Sequence, residues 1–224
     1  MNIFKRLKKT DNTVFCEAKQ SYSEVINTAR SWVRNKSEQE QILILNYIVD
    51  ILIEDICSSG TADVLKKTAS SPFIGCIPYL CKDENENTVD IRTEEKTEVE
   101  LSNAKLYVCP WNKSKIIDSL IRLNQTAFIF DETNHMSDFY TDINLCHVYN
   151  GNHSIHIGSY LKKGRIVSNV CRTELLYPHC STDGLYWYNK HTGDRICNLT
   201  DFRLAAVFTV AQMRYDTQRS DMAA

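Results

Sequence analysis

Val148-Tyr149-Asn150-Gly151-Asn152-His153-Ser154-Ile155-His156-Ile157-Gly158 is the stretch on which the reading of the fold turns. An apolar run from Asn144 to Tyr149 reads as a strand that closes at Asn150-Gly151. A helical pattern then runs from His153 to Lys163 and stops at Gly164. Gly151 lets the backbone turn tightly and lets a ligand approach with no Cβ in the way. The first amides of a helix have no internal acceptor and lie at its positive end, so such a junction suits an anion, above all phosphate. Asn152, His153 and Ser154 add side-chain donors at the same place. The same letters also suit an ordinary capped helix behind a turn, with His153 satisfying a backbone group.

Working outward, Leu106-Tyr107-Val108-Cys109 is a strand closed by Pro110. Ile116, Ile117, Leu120, Ile121 and Leu123 line one helical face, with Asn112 or Ser114 as cap. Ala127-Phe128-Ile129-Phe130 reads as a second strand and Arg165 to Val170 as a further one. Leu185-Tyr186-Trp187-Tyr188 and Arg195-Ile196-Cys197 suit a hairpin. Thr200 or Asp201 caps a last helix that turns Phe202, Ala205, Ala206, Thr209, Val210 and Met213 inward. This alternation of strands and helices predicts an α+β fold.

The N-terminal part is helical by pattern. Tyr22, Val25, Ile26, Ala29, Trp32 and Val33 make one buried stripe, with Ser21 as cap. Ser37-Glu38-Gln39-Glu40 is a capping box, in which serine and glutamate satisfy free backbone amides reciprocally. Behind it Ile42 to Ile56 is apolar nearly all round and predicts a core helix ending near Ser58-Ser59-Gly60. Asn46, Asp50, Glu54 and Asp55 interrupt it, short of the roughly 18 uncharged apolar residues of a membrane span. The expected organisation is a basic tail over 1–20, a helical segment over 21–80, an acidic linker over 81–100 and an α/β domain over 101–215. The helical segment is expected to pack on that domain.

Residues 101–170 resemble the ParB/sulfiredoxin-like nucleotide-binding superfamily. There, a strand ending in a proline segment leads into a helix. A strand and a connector follow, and then a strand ends in a Gly-x-His-Arg type turn whose helix cradles phosphates. Lys105 to Lys113, with Pro110 inside, looks like the first motif, and Gly151-Asn152-His153-Ser154 looks like the phosphate turn. The resemblance implies a nucleoside triphosphate held with Mg²⁺ by Gly151, Asn152, His153 and Ser154, with Pro110, Asn112 and Lys113 as the facing wall. His153 is the side chain nearest to a catalytic candidate. The basic residue expected after the histidine is Ser154 here, and Lys162, Lys163 or Arg165 are the substitutes within reach in sequence. In sulfiredoxin a catalytic cysteine stands between the glycine and the histidine. Asn152 holds that position, which argues against sulfinic-acid reduction. Only 60 residues follow Gly164, with no recognition-helix pattern, so the partition-protein role does not carry over.

Function is therefore read as nucleotide binding, with hydrolysis or phosphoryl transfer as possible outcomes. The alternatives are a protein-interaction module that keeps the fold without nucleotide, and a nuclease. Glu98 and Glu100 precede the first strand of the domain and are the carboxylates considered for Mg²⁺. Cys171, His179, Cys180, His191 and Cys197, with His147 nearby, are weighed as zinc ligands, but no paired Cys-x₂₋₄-Cys spacing supports them. With 26 basic against 28 acidic residues and net charge −2, nucleic acid is a disfavoured partner. Hydrophobic residues at 43% and charged at 24% exclude a disordered or fibrous chain. The start shows no secretory pattern and the nine cysteines are odd in number, so free thiols in the cytoplasm are expected.

Overall fold

The structure, a computed structural model, describes residues 3–66, 77–199 and 201–222. Helix α1 spans Ile3–Val33 and α2 Glu38–Lys66. Two short strands follow, β1 (Leu80–Lys82) and β2 (Thr88–Asp90), which pair with each other. Next come β3 (Arg92–Glu100), β4 (Leu106–Tyr107), α3 (Lys113–Gln125), β5 (Met136–Tyr140), β6 (Leu145–Asn150), α4 (Asn152–Tyr160) and β7 (Arg165–Cys171). A 3₁₀ turn over Thr173–Leu176 leads to β8 (Cys180–Thr182), β9 (Tyr186–Asn189), β10 (Arg195–Asn198) and α5 (Phe202–Met222). The fold is α+β with a C-terminal helix. Among the described residues no helix is long and apolar enough to cross a membrane.

The chain divides into two compact units. One gathers residues 1–52, 75–89 and 174–224; the other gathers 53–74 and 90–173. This division replaces the boundaries expected from sequence. Residues 81–100 are not a linker, because they form β1, β2 and β3, and the first helix already starts at Ile3. The charged letters of β3 suit a solvated linker as readily as an exposed strand. It is an edge strand whose side chains are mostly exposed, and its backbone pairs with β7, so it needs little apolar content.

The second unit is built on a five-stranded sheet of order β3-β7-β5-β6-β4. β3 and β6 run antiparallel to their neighbours β7 and β5, whereas β5–β7 and β4–β6 are parallel. Alternation along the strands turns Val99, Leu106, Cys146, Val148 and Ile166 to one face, where Ile155 of α4 completes a buried core. The opposite face carries Tyr107, Asp138, His147 and Asn169. Asp138 and His147 are cross-strand partners and both are buried. Ala127–Phe130 is a loop, not a strand. Phe128 and Phe130 pack on the core from that loop, which explains their apolar letters.

In the first unit, β8, β9 and β10 form an antiparallel sheet that buries Trp187. α5 buries Leu204 to Phe208 consecutively, then Val210, Ala211 and Arg214. Asp201 Oδ1 accepts the Arg203 N–H at 3.0 Å and caps this helix; Thr200 lies outside the described residues. The Ser37–Glu40 capping box forms as written, with Glu40 accepting the Ser37 N–H at 2.9 Å. Two apolar patterns depart from expectation. Trp32 is exposed on α1, and α2, which continues past Gly60 to Lys66, leaves Leu43, Tyr47 and Ile51 on an exposed stripe.

Candidate functional site

The turn between β6 and α4 opens on a cleft of about 530 Å³. Its walls include Trp111, Lys115, Asp118 and Arg122 on one side and Tyr149 to Ser154 on the other. Gly151 is the N-cap of α4, at φ +78° in the left-handed region, and it has no side chain with which to cap. The first three amides of α4, those of Asn152, His153 and Ser154, are the ones a helix cannot satisfy internally. The first internal bond is Ile155 N–H to Gly151 O at 3.0 Å.

The side chains of the turn serve the protein. Asn152, only 8% exposed, accepts the Cys109 N–H on Oδ1 at 2.8 Å. His153 Nε2 accepts the Asn112 N–H at 3.1 Å, which leaves the proton of the neutral ring on Nδ1. Burial, and then Lys115 and His156, hold its pKa below the ordinary imidazole value. Ser154 Oγ donates to Gly151 O at 3.1 Å and lies 2.9 Å from His135 Nε2. Since the Asp131 N–H donates to His135 Nδ1, Nε2 carries the proton and donates to Ser154. Of the three expected side-chain donors, Ser154 gives its proton to Gly151 O, whereas Asn152 and His153 use only acceptor atoms in these bonds, which leaves the Asn152 Nδ2 and His153 Nδ1 donors unspent in them alongside the backbone N–H groups.

The facing wall also shifts. Pro110 is buried, Asn112 caps α3 by accepting the Lys115 N–H at 3.2 Å, and neither they nor Lys113 line the cleft. The wall comes from the next turns of α3. Lys115, Asp118, Ser119 and Arg122 recur at i, i+3, i+4 and i+7, one polar stripe of that helix. The signal was in the sequence, as the complement of the buried face around Leu123. Ile117 and Ile121, assigned inward by sequence, are exposed.

The substitutes considered for the missing basic residue have other employment. Lys162 donates to Ser102 O at 2.8 Å, Lys163 to the Leu123 and Asn124 carbonyls at the end of α3, and Arg165 to Glu98 at 3.2 Å. Lys115 and Arg122 supply the positive charge instead. Glu98 and Glu100 sit on edge strand β3 and do not line the cleft. Asp118 is the acid that does.

Of the five residues weighed for zinc, the structure brings His179 and His191 together. Cys171 belongs to the other unit, and Cys180 is buried, its thiol pushed far up by burial and by neighbouring thiols. None of the eight described cysteines is in a disulfide.

One comparison places the chain. It belongs to DUF6710, a family of unknown function. The family model matches residues 5–220 and so spans both units. No curated protein and no solved structure matches.

Proposed function

We propose that the β6–α4 cleft binds the phosphates of a nucleoside triphosphate with Mg²⁺. The observation that carries this reading is convergence: an uncapped helix N-terminus faces two cations, Lys115 and Arg122, across one cleft. The order β4, Pro110, α3, β5, β6, Gly151, α4 supports this reading by its likeness to the ParB/sulfiredoxin-like order, with β5 standing where a strand was expected at Ala127–Phe130. Asp118 is the carboxylate in position to meet Mg²⁺, which would neutralise phosphate charge when bound. Phosphoryl chemistry asks mainly for positioning and charge neutralisation, and the cleft offers both. A single carboxylate lining the cleft gives little support to a nuclease, which commonly clamps two metals.

One observation favours the alternative, a protein-interaction module without nucleotide. Asn152, His153 and Ser154 each hold a hydrogen bond within the fold, so these side chains have a structural task that needs no ligand. Titration calorimetry with ATP, CTP and GTP in Mg²⁺ separates the two. Arg122→Ala removes an exposed charge-assisted donor worth about 1.5–3 kcal/mol, so affinity should fall roughly ten- to a hundredfold with the fold intact. Release of inorganic phosphate would then report turnover. A wild-type protein that binds none of the three, or an Arg122→Ala variant that binds as tightly as wild type, rejects the nucleotide site.

A further inference from the structure

We infer that Glu84, His179 and His191 form a divalent transition-metal site of the zinc class. The three come from separate turns of the first unit. Glu84 lies between β1 and β2, His179 between the 3₁₀ turn and β8, and His191 between β9 and β10. Their ligating atoms all fall within 4.8 Å of one another. His179 Nδ1 and His191 Nε2 are 2.9 Å apart, and Glu84 Oε2 is 3.8 and 3.9 Å from them. Two imidazoles and a carboxylate are a donor set that suits Zn²⁺ and its neighbours in the first transition row. Bonds of about 2.0–2.1 Å at a tetrahedral angle put ligating atoms roughly 3.3–3.4 Å apart. The imidazoles therefore need to part by a few tenths of an ångström, and the exposed Glu84 needs to close by about as much.

The backbone beneath the triad is tied as a metal site requires. Asn189, only 5% exposed, is the central tie. Its Oδ1 accepts the His191 and Thr192 N–H groups at 2.7 and 3.0 Å, and its Nδ2 donates to Lys82 O at 2.8 Å. Cys81 Sγ donates to His179 O at 3.3 Å, and the Lys190 N–H donates to the same carbonyl at 2.8 Å. All three ligand-bearing segments are thus bonded to one another through buried groups. The next carboxylate, Asp83, holds the Glu84 turn by accepting the Asn85 and Asn87 N–H groups at 2.9 and 2.8 Å. Preorganisation of this kind raises metal affinity, because little of the geometry has to be created on binding. Three protein ligands on an open surface leave the fourth position to water, the arrangement of a reactive zinc rather than a closed structural one.

The test uses the full chain, free of tags and stripped by chelator. Calorimetry with Zn²⁺ should give one site per chain. His191→Ala should lower that affinity by more than the roughly ten- to hundredfold that loss of an outer-shell partner costs. Glu84→Gln should weaken it less. Co²⁺ should develop a tetrahedral visible band in wild type that both variants lose. An independent reading needs no variant: on adding Zn²⁺, the imidazole NMR signals of His179 and His191 should move and those of the other four histidines should not. Zinc bound equally well by His191→Ala, zinc perturbing other histidines instead, or no wild-type site at all overturns the proposal.

Discussion

Gly151 and Asn152 show how a turn can be chosen for the protein's own packing. A Cβ at Gly151 would lie 2.6 Å from His135 Cδ2 and 2.7 Å from Asn134 O, so the missing side chain makes room for the preceding loop. With φ at +78° any L-residue is also strained. Gly151→Ala should therefore lower stability by about 1–3 kcal/mol whether or not a ligand binds. Asn152→Ala leaves the Cys109 N–H without its acceptor and should cost a similar roughly 1–3 kcal/mol. Urea denaturation of both variants without ligand checks this. If neither destabilises, the turn is not under the constraint described.

At the scale of elements, the ends of helices explain most of what was legible and what was not. Asn112 and the Ser37–Glu40 box were readable because a cap is local chemistry, fixed within three or four residues. The end of α4 was not. Gly164 was expected to stop it after Lys163, yet it ends at Tyr160. Lys162 takes the left-handed position at φ 57°, with Lys162 N–H to Ser159 O and Lys163 N–H to Gly158 O closing the end. β5 and β8 were missed because Met136–Tyr140 and Cys180–Thr182 are short and carry no strict alternation. α5 is the element on which the first unit depends most visibly. Phe208 is fully buried and meets Tyr177 and Trp187 edge-on, at 5.0 and 4.9 Å between ring centroids. Phe208→Ala should cost about 3–5 kcal/mol, read from chemical denaturation. A loss near 1 kcal/mol would mean the site refills and the packing is loose.

At the scale of the molecule, the second unit holds its histidines neutral. His135, His147, His153 and His156 all have pKa values lowered, in each case first by burial. Asp131 beside His135 and Asp138 beside His147 act in the opposite direction and are outweighed. With folded values depressed, the unfolded chain binds more protons as pH falls through about 6.5. This contribution to stability is therefore fully present above that pH, and it is lost as pH falls from there through the folded values. The urea midpoint should drop between about pH 7.5 and 5.5. A midpoint that holds or rises over that range contradicts neutral burial of these rings.

The letters of the chain carried the α+β class, the β6–Gly151–α4 junction and the capped starts of α2 and α3, because periodicity and caps act over a few residues. They did not carry the division into two units, the place of β3 in the sheet, or the partners of Asn152, His153 and Ser154, which depend on segments some 20 to 40 positions away. The sequence offered His179 and His191 among five scattered ligands without Glu84. Packing selected two of the five and added the carboxylate, because turns far apart along the chain are bonded together through Asn189. Local rules place a side chain on its element; distance between elements is set when the core closes.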